Sequence, residues 1–398
     1  MEKILIANNF YSRSGGAHVA ALNQYKLFKK NNINVYFFCA SSDLNYDENV
    51  FVVYKNRFSR LFVKLFCLGF IFDIYVFVQF FLTLKKIQPT IVHVHLFKAS
   101  LSNSILYALS LSKNVKKILT HHDFSIIDSH SILVDNDGKI MKSVLDGNVF
   151  DNVIKRTTKK SYILSFLNFI DWKTAHLIGY KTIFDKHITV SNFSKKLIQS
   201  SIFGVDSTVL YNFTNKIKFD KLNIEYDYCF IGRFSDEKGV KILLNAIKRN
   251  KDEIFLFVGF GPLLYLINEE AKYNKNIHIK FAQNDNEVKM LLKKSRWLII
   301  PSITFENNPL VILESWSVGT PVLGSNHGGI KELLEIGGTL KYGFKPGETT
   351  SLNSSLQQTK NISLSNYKNL SITAQNCYDD FFSDSIYFNN LMKTYNEI

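Results

Sequence analysis

Cys229-Phe230-Ile231-Gly232-Arg233-Phe234-Ser235-Asp236-Glu237-Lys238-Gly239 reads as a hydrophobic strand that ends in a turn bearing two cations and leads into a helix. Short strands alternating with helices are the pattern of doubly wound parallel sheets, and the chain repeats that pattern on both sides of this stretch. Upstream, strands are expected near Ile4 to Ala7, Val35 to Cys39, Phe51 to Tyr54, Ile91 to His95, Lys117 to Thr120, His187 to Val190 and Thr208 to Tyr211. Downstream they are expected near Tyr228 to Ile231, Ile254 to Val258, Ile277 to Phe281, Trp297 to Ile300 and Pro321 to Gly324. A polar stretch from Asn212 to Glu225 interrupts the alternation, which gives expected α/β domains over 1–212 and 213–379 and a last helix over 380–398.

Ligands of open parallel sheets bind beyond the carboxyl ends of the strands, so Arg233, Gly259, Glu306 and Ser325 are expected to converge. Arginine clamps phosphate oxygens bidentately and lysine adds a point charge, a pair suited to a diphosphate. In Thr304-Phe305-Glu306-Asn307-Asn308-Pro309-Leu310-Val311-Ile312-Leu313-Glu314, Asn308 and Pro309 mark a helix start, with the helix expected to run from Leu310 to Val318 and stop at Gly319. Amides at a helix start receive anions, so a diphosphate fits near Asn308 to Val311. Glu306 then lies outside the helix and Glu314 inside it, each a natural partner for sugar hydroxyls. Taken singly, every one of these charges also fits a solvated surface.

In this order and at this spacing, Gly232, Arg233, Lys238 and Gly239 followed by Glu306 and Glu314 resemble the motifs of retaining glycosyltransferases of family 4, which have the GT-B fold. Val258-Gly259-Phe260-Gly261-Pro262 and Gly324-Ser325-Asn326-His327-Gly328-Gly329-Ile330 match as well. The resemblance implies two Rossmann-like domains facing a central cleft, with the first binding the acceptor and the second a nucleoside diphosphate sugar. It implies that Arg233 and Lys238 hold the diphosphate, Glu314 the ribose, and Glu306 and His122 the transferred sugar. Gly15, Gly16, Gly232, Gly259, Asn307, Asn308, Pro309 and Leu310 complete the implied donor site. In the first half, Ser12-Arg13-Ser14-Gly15-Gly16-Ala17 is a glycine turn before a helix, where relatives place the donor diphosphate and the acceptor. The implied acceptor contacts are Gly16, His18, His122 and Asp123, with His18 standing where many relatives carry Glu. Thr120-His121-His122-Asp123 resembles the family's Thr-Leu-His-Asp, which aligns His122 with the sugar-contacting histidine.

His93 and His95 share one strand face and could be metal ligands or buried histidines bonded to their surroundings; no carboxylate or cysteine cluster stands at ligand spacing, so no metal and no cofactor is expected. Asn136-Asp137-Gly138-Lys139 opens a stretch over 124–185 where the resemblance weakens, and its basic residues Lys142, Lys155, Arg156, Lys159 and Lys160 are candidates for setting the loop and the acceptor specificity.

The chain has 398 residues and a formal charge of +14, and the charge is lopsided: residues 1–200 hold 26 Lys and Arg against 13 Asp and Glu, the remainder 22 against 21. Such a field suits an anionic membrane surface; nucleic acid is disfavoured because no recognisable motif accompanies the charge. Residues Leu61 to Leu84 are nearly long enough to cross a bilayer, but Lys64, Asp73 and Gln79 interrupt the run, which favours a partly buried helix. Scattered Cys39, Cys67, Cys229 and Cys377 point to a reducing compartment, and Met1-Glu2-Lys3 leads straight into a strand, not a signal peptide. The expectation is a cytoplasmic enzyme peripherally bound to the inner face of the plasma membrane. It would move a sugar to a lipid-linked saccharide acceptor in bacterial surface polysaccharide biosynthesis. A catalytically silent GT-B homologue acting as a partner protein and a nucleotide-sugar epimerase are the alternatives.

Overall fold

A computed structural model of the protein describes residues 2–54, 71–136, 138–219 and 223–398. They form two compact units: residues up to Leu210 together with Asn390–Ile398, and Tyr211–Asn389. The first is built on a seven-stranded sheet in the order Val50–Val52, Asn34–Cys39, Lys3–Ala7, Ile91–Val94, Lys116–His121, Lys186–Thr189, Thr208–Val209. The second has a five-stranded sheet in the order Ile277–Lys280, Phe255–Val258, Tyr226–Ile231, Ser295–Ile300, Val322–Gly324. All neighbours in both sheets pair parallel. In each sheet the first strand sits inside and the chain winds outward from it in both directions, the doubly wound arrangement.

Strands of this kind are covered on both faces, which explains continuous apolar runs such as Phe255–Val258, buried at every position. The core of the second unit is rich in rings: Tyr228, Phe230, Phe234, Phe255, Phe257 and Trp297 belong to one buried cluster. Fully burying such a side chain contributes about 1.5–3 kcal/mol. A two-residue parallel pair, Phe10–Tyr11 with Ser41–Ser42, was not expected, because a strand of two residues leaves no periodicity to read.

Three boundaries differ from the sequence expectation. The division falls before Tyr211, not after Asn212, because the Tyr211 hydroxyl donates to Glu332 at 2.6 Å and Asn212 is bonded to Asn308, both in the second unit. The helix expected over 380–398 is a π-helical turn, Tyr378–Phe382, an extended Ser383, and an α-helix, Asp384–Asn396. Tyr387 stacks on Phe213 at 4.3 Å in the second unit, whereas the Tyr395 hydroxyl meets His93 Nδ1 at 2.7 Å in the first. Finally, the helix after Pro309 begins at Leu310 and ends at Ser317, one residue short of Val318, with Gly319 left-handed beyond it. Pro309 is extended at ψ 119° and stands as N-cap itself, while the Asn308 side chain turns away to accept from the Asn212 N–H at 3.2 Å.

The apolar run Leu61 to Leu84 lies partly outside the described residues; its described part enters a helix, Ile74–Ile87. Asp73, an interruption in sequence, is the N-cap: its carboxylate accepts from Tyr75 and Val76 N–H groups and from the Tyr54 hydroxyl. Among the described residues no helix is long and apolar enough to cross a membrane. Cys39, Cys229 and Cys377 are buried free thiols, and Cys67 lies outside the described residues.

Candidate functional site

In the second unit, two strand-end loops are drawn together through glycine. Gly259 has φ 139°, and a Cβ there would lie 2.0 Å from the Gly232 carbonyl oxygen, so the loop carrying Arg233 and the loop after Phe255–Val258 touch backbone to backbone. Arg233 is exposed, and among the described residues no protein group pairs with its guanidinium. Lys238 pairs with Glu306, and the Ser302 hydroxyl donates to the same carboxylate at 2.8 Å. His327 Nε2 donates to the Ser302 carbonyl at 3.0 Å, which tethers the loop from its other side. The Gly329 N–H donates to the Glu306 carbonyl at 2.7 Å, and a Cβ at Gly329 would stand 1.8 Å from the Asn307 oxygen. Glycine is what lets the helix Gly328–Ile336 close on the segment Glu306–Asn308.

Glu306, Asn307, Asn308, Pro309 and Leu310 thus form one supported loop at a helix start. The first helical bond runs from the Ile312 N–H to the Pro309 carbonyl, so the N–H groups of Leu310 and Val311 precede the helix's own ladder. Glu314 is half-buried farther along, and burial pushes its carboxyl up to about 7 against the opposing pull of Lys289. Lys289 is itself buried, its Nζ donating to the Asn215 carbonyl at 2.5 Å, and burial lowers its own ionisation range. Chemically, this arrangement offers cations and amides for a diphosphate and two carboxylates for hydroxyls. Ser302, His327 and Lys289 were not singled out in the sequence. His327 lies in the glycine-rich stretch Gly324 to Ile330, but a buried supporting lysine looks like any other helical lysine.

In the first unit, Gly15 caps and Gly16 opens the helix Gly16–Lys30. His18 follows in its first turn, Nδ1 against Asn8 Nδ2 at 3.1 Å. At the strand ends, His122 Nε2 is hydrogen-bonded to His95 Nδ1 at 2.8 Å, and His93, His95 and His122 form a column with ring centroids 4.6 and 5.1 Å apart. His93 is engaged by Thr120 at 2.7 Å on one nitrogen and by Tyr395 and Gln24 on the other. Thus the two histidines read as possible ligands serve as a hydrogen-bonded support for His122. Among the described residues no group of three or more His, Cys, Asp or Glu is placed to hold a metal. Asp123 Oδ1 accepts from the Ser125 N–H at 2.9 Å, and burial raises its carboxyl. In the loop after it, Asp128 accepts from Asn152, His130 and Leu133, and of the basic residues Lys155 pairs with Asp151 at 3.3 Å and Arg156 lies over the Tyr162 ring. Asp137 lies outside the described residues.

Burial lowers His93 and His122 to about 3 and His187 and His176 to about 4, and holds His95 and His121 well below 6.5. The unfolded chain therefore takes up these protons first, and stability present above about pH 6.5 is lost as pH falls toward 4. Asp171, raised to about 6 by burial, and Asp123 act in the opposite sense, but the histidines outnumber them. The first unit is expected to lose a few kcal/mol between about pH 7 and pH 4.5, read by urea titration of hydrogen-exchange protection in its strands. A flat profile would contradict a neutral histidine column.

A family model described as Glycosyl transferases group 1 matches residues 214–375, a span holding Gly232, Arg233, Lys238, Glu306 and Glu314. Residues 214–375 are thus similar to that family. The chain is 32% identical over 155 residues to an uncharacterized glycosyltransferase of Methanocaldococcus jannaschii, covering 38% of this chain and 42% of that one. It is 29% identical over 153 residues to a putative colanic acid biosynthesis glycosyltransferase of Salmonella typhimurium, covering 35% and 36%. The matched stretches span less than half the length of these relatives. Anabaena HepE, solved in complex with UDP-glucose, superimposes with a TM-score of 0.68 at 14% identity over 100% of both chains. At that identity the likeness is one of fold: the two units share the GT-B fold with solved glycosyltransferases.

Proposed function

We propose that the protein is a retaining glycosyltransferase of the family 4 type. It moves a sugar from a nucleoside diphosphate sugar to a hydroxyl of a lipid-linked saccharide in bacterial surface polysaccharide biosynthesis. The observation that carries this reading is the loop where exposed Arg233 follows Gly232, which touches Gly259, and Lys238 is held on Glu306 just before the helix Leu310–Ser317. The group 1 match and the polysaccharide role in the name of the Salmonella relative support it, as does a neighbour of like fold solved with UDP-glucose.

In this reading the bond between the sugar's anomeric carbon and the diphosphate oxygen breaks. The acceptor oxygen bonds to that carbon on the same face, and its proton passes to the leaving phosphate. Arg233, Lys238 and the amides of Leu310 and Val311 stabilise the charge that builds on the diphosphate. Glu314 accepts from the ribose hydroxyls, and Glu306 and His122 orient the sugar. Gly15 and Gly16 give the donor close approach, and Gly16, His18 and Asp123 face the acceptor. The cations are those of the protein, and the reaction takes no metal. The enzyme works in the cytoplasm, drawn to the inner face of the plasma membrane by its basic first half.

Thermal shifts with UDP, GDP, ADP and CMP test the reading on the wild type and on Glu314→Ala. One nucleotide is expected to raise the unfolding midpoint by several degrees at saturating concentration, and Glu314→Ala to lose most of that shift. Because Glu314 ionises near 7, the shift is expected to grow from about pH 6 to pH 8. No response to any nucleotide would favour the silent homologue. The anomeric configuration of the product, read by NMR, decides retention.

A further inference from the structure

Helices that cover a sheet normally bury an apolar stripe and turn a polar face outward. In the first unit, several helices packed side by side depart from this. The helix Ile74–Ile87 buries Val76, Phe80, Leu84 and Ile87, yet its outward positions Ile74, Val78 and Leu82, four residues apart, are also apolar, with Ile74 69% exposed. Beside it, Ser104–Ser110 and the residue after it present Tyr107 and Leu111. The helix Tyr162–Ile178 buries Ser165 and Asp171 along with Trp172 and Ala175, while Ile163 and Leu177 are 73% and 79% exposed, with Phe166 between them. The helices are tied together, since Tyr107 meets the Phe77 ring at 5.6 Å and Asn103 donates to Asp171 at 2.9 Å.

The charge around this surface is mainly positive, with Asp151 paired to Lys155 at 3.3 Å. Stretches 74–87, 104–117 and 155–170 contain no Asp or Glu, and they carry Lys85, Lys86, Lys113, Lys155, Arg156, Lys159 and Lys160, among others. Arg156, Lys159 and Lys160 adopt left-handed backbone conformations with φ near 50°, unfavourable for such side chains, on the turn leading into the exposed end of Tyr162–Ile178. Apolar side chains rimmed mainly by cations match an anionic bilayer, whose acyl boundary takes the former and whose phosphates take the latter.

We propose that this helical face seats the protein on an anionic membrane by inserting Ile74, Val78, Leu82, Ile163, Phe166 and Leu177, with the lysines at phosphate level. The inference deepens the lipid-linked acceptor reading, on which its purpose rests: an acceptor held in the bilayer would be met by a protein seated there. It goes beyond charge attraction, because insertion leaves part of the binding resistant to salt.

The test is co-sedimentation with phosphatidylcholine vesicles with and without phosphatidylglycerol, at low and high salt. The proteins compared are the wild type, Ile163→Asp with Phe166→Asp, and Lys159→Glu with Lys160→Glu, all exposed positions whose unfolding midpoints are checked in parallel. The wild type is expected to bind the anionic vesicles, with part of the binding surviving high salt, and each double variant to bind at least roughly tenfold more weakly. No binding to anionic vesicles overturns the proposal, as does binding that salt abolishes and the aspartates leave unchanged. A dimer in sedimentation velocity that the aspartate variant dissociates would give the face to a second copy and also overturn it. The UDP and GDP thermal shifts separate the two readings: vesicle binding with no nucleotide response keeps the membrane face and removes the transferase, and the reverse result does the opposite.

Discussion

Arg233→Ala is expected to lower kcat/KM for sugar transfer by about 10²- to 10³-fold, the loss seen when a preorganised donor to developing charge is removed, while leaving the unfolding midpoint nearly unchanged. The separation follows from geometry. Arg233 is exposed and has no protein partner among the described residues, so its removal breaks no internal bond. Its position after Gly232, at the end of the strand Tyr226–Ile231, puts it where parallel sheets bind their ligands. Lys238→Ala is expected to cost a similar factor but to act twice, because Glu306 would lose its cation while keeping the Ser302 hydroxyl. The Lys238–Glu306 pair is partly exposed, so its contribution to stability is at most about 1 kcal/mol. Steady-state kinetics alongside calorimetry read both quantities. An Arg233→Ala enzyme of unchanged kcat/KM would remove this residue from the diphosphate site.

Gly329→Ala is expected to destabilise the second unit by about 3 kcal/mol, the upper end of overpacking costs, and to abolish nucleotide binding. The new methyl would meet the Asn307 carbonyl at 1.8 Å and the Glu306 oxygen at 2.7 Å, and both are backbone atoms that no side-chain rotation can move. Either the helix Gly328–Ile336 backs away, losing the Gly329 bond to Glu306, or the loop carrying Glu306 shifts. Gly16→Ala makes the contrast. A Cβ there has nothing within 4 Å, and the residue is the first of its helix, so the fold should be unaffected or gain about 0.5 kcal/mol. If a diphosphate or acceptor comes close to that backbone, Gly16→Ala should still lose transfer activity. A stable and fully active Gly16→Ala enzyme would remove the loop from the proposed site, and a stable Gly329→Ala protein would contradict the close packing of Gly329 on Asn307.

What could be read from sequence was whatever rests on local chemistry. Strand positions in both sheets were legible because doubly covered strands are continuous apolar runs; the expected and observed spans differ by a residue or two at their ends. The helix beside Glu306 was legible from Pro309, but the cap was misplaced by one residue, because Asn308 found a partner in Asn212, 96 positions away. In sequence Asp73 reads as an interruption in an apolar run, since its capping role depends on where the helix begins.

By itself the sequence determined the α/β class, the parallel winding and the small set of residues from which a diphosphate site could be made. Turn glycines, strand runs and cations at strand ends are each recorded within a dozen residues. Only the tertiary structure decided what supports those residues: Ser302 and His327 behind Glu306, Lys289 beside Glu314, and the column of His93 and His95 behind His122. It also decided which apolar residues face outward on Ile74–Ile87 and Tyr162–Ile178. These are relations between segments distant in the chain, and burial, the quantity that moves Glu314 to about 7 and His122 to about 3, exists only once those segments have packed.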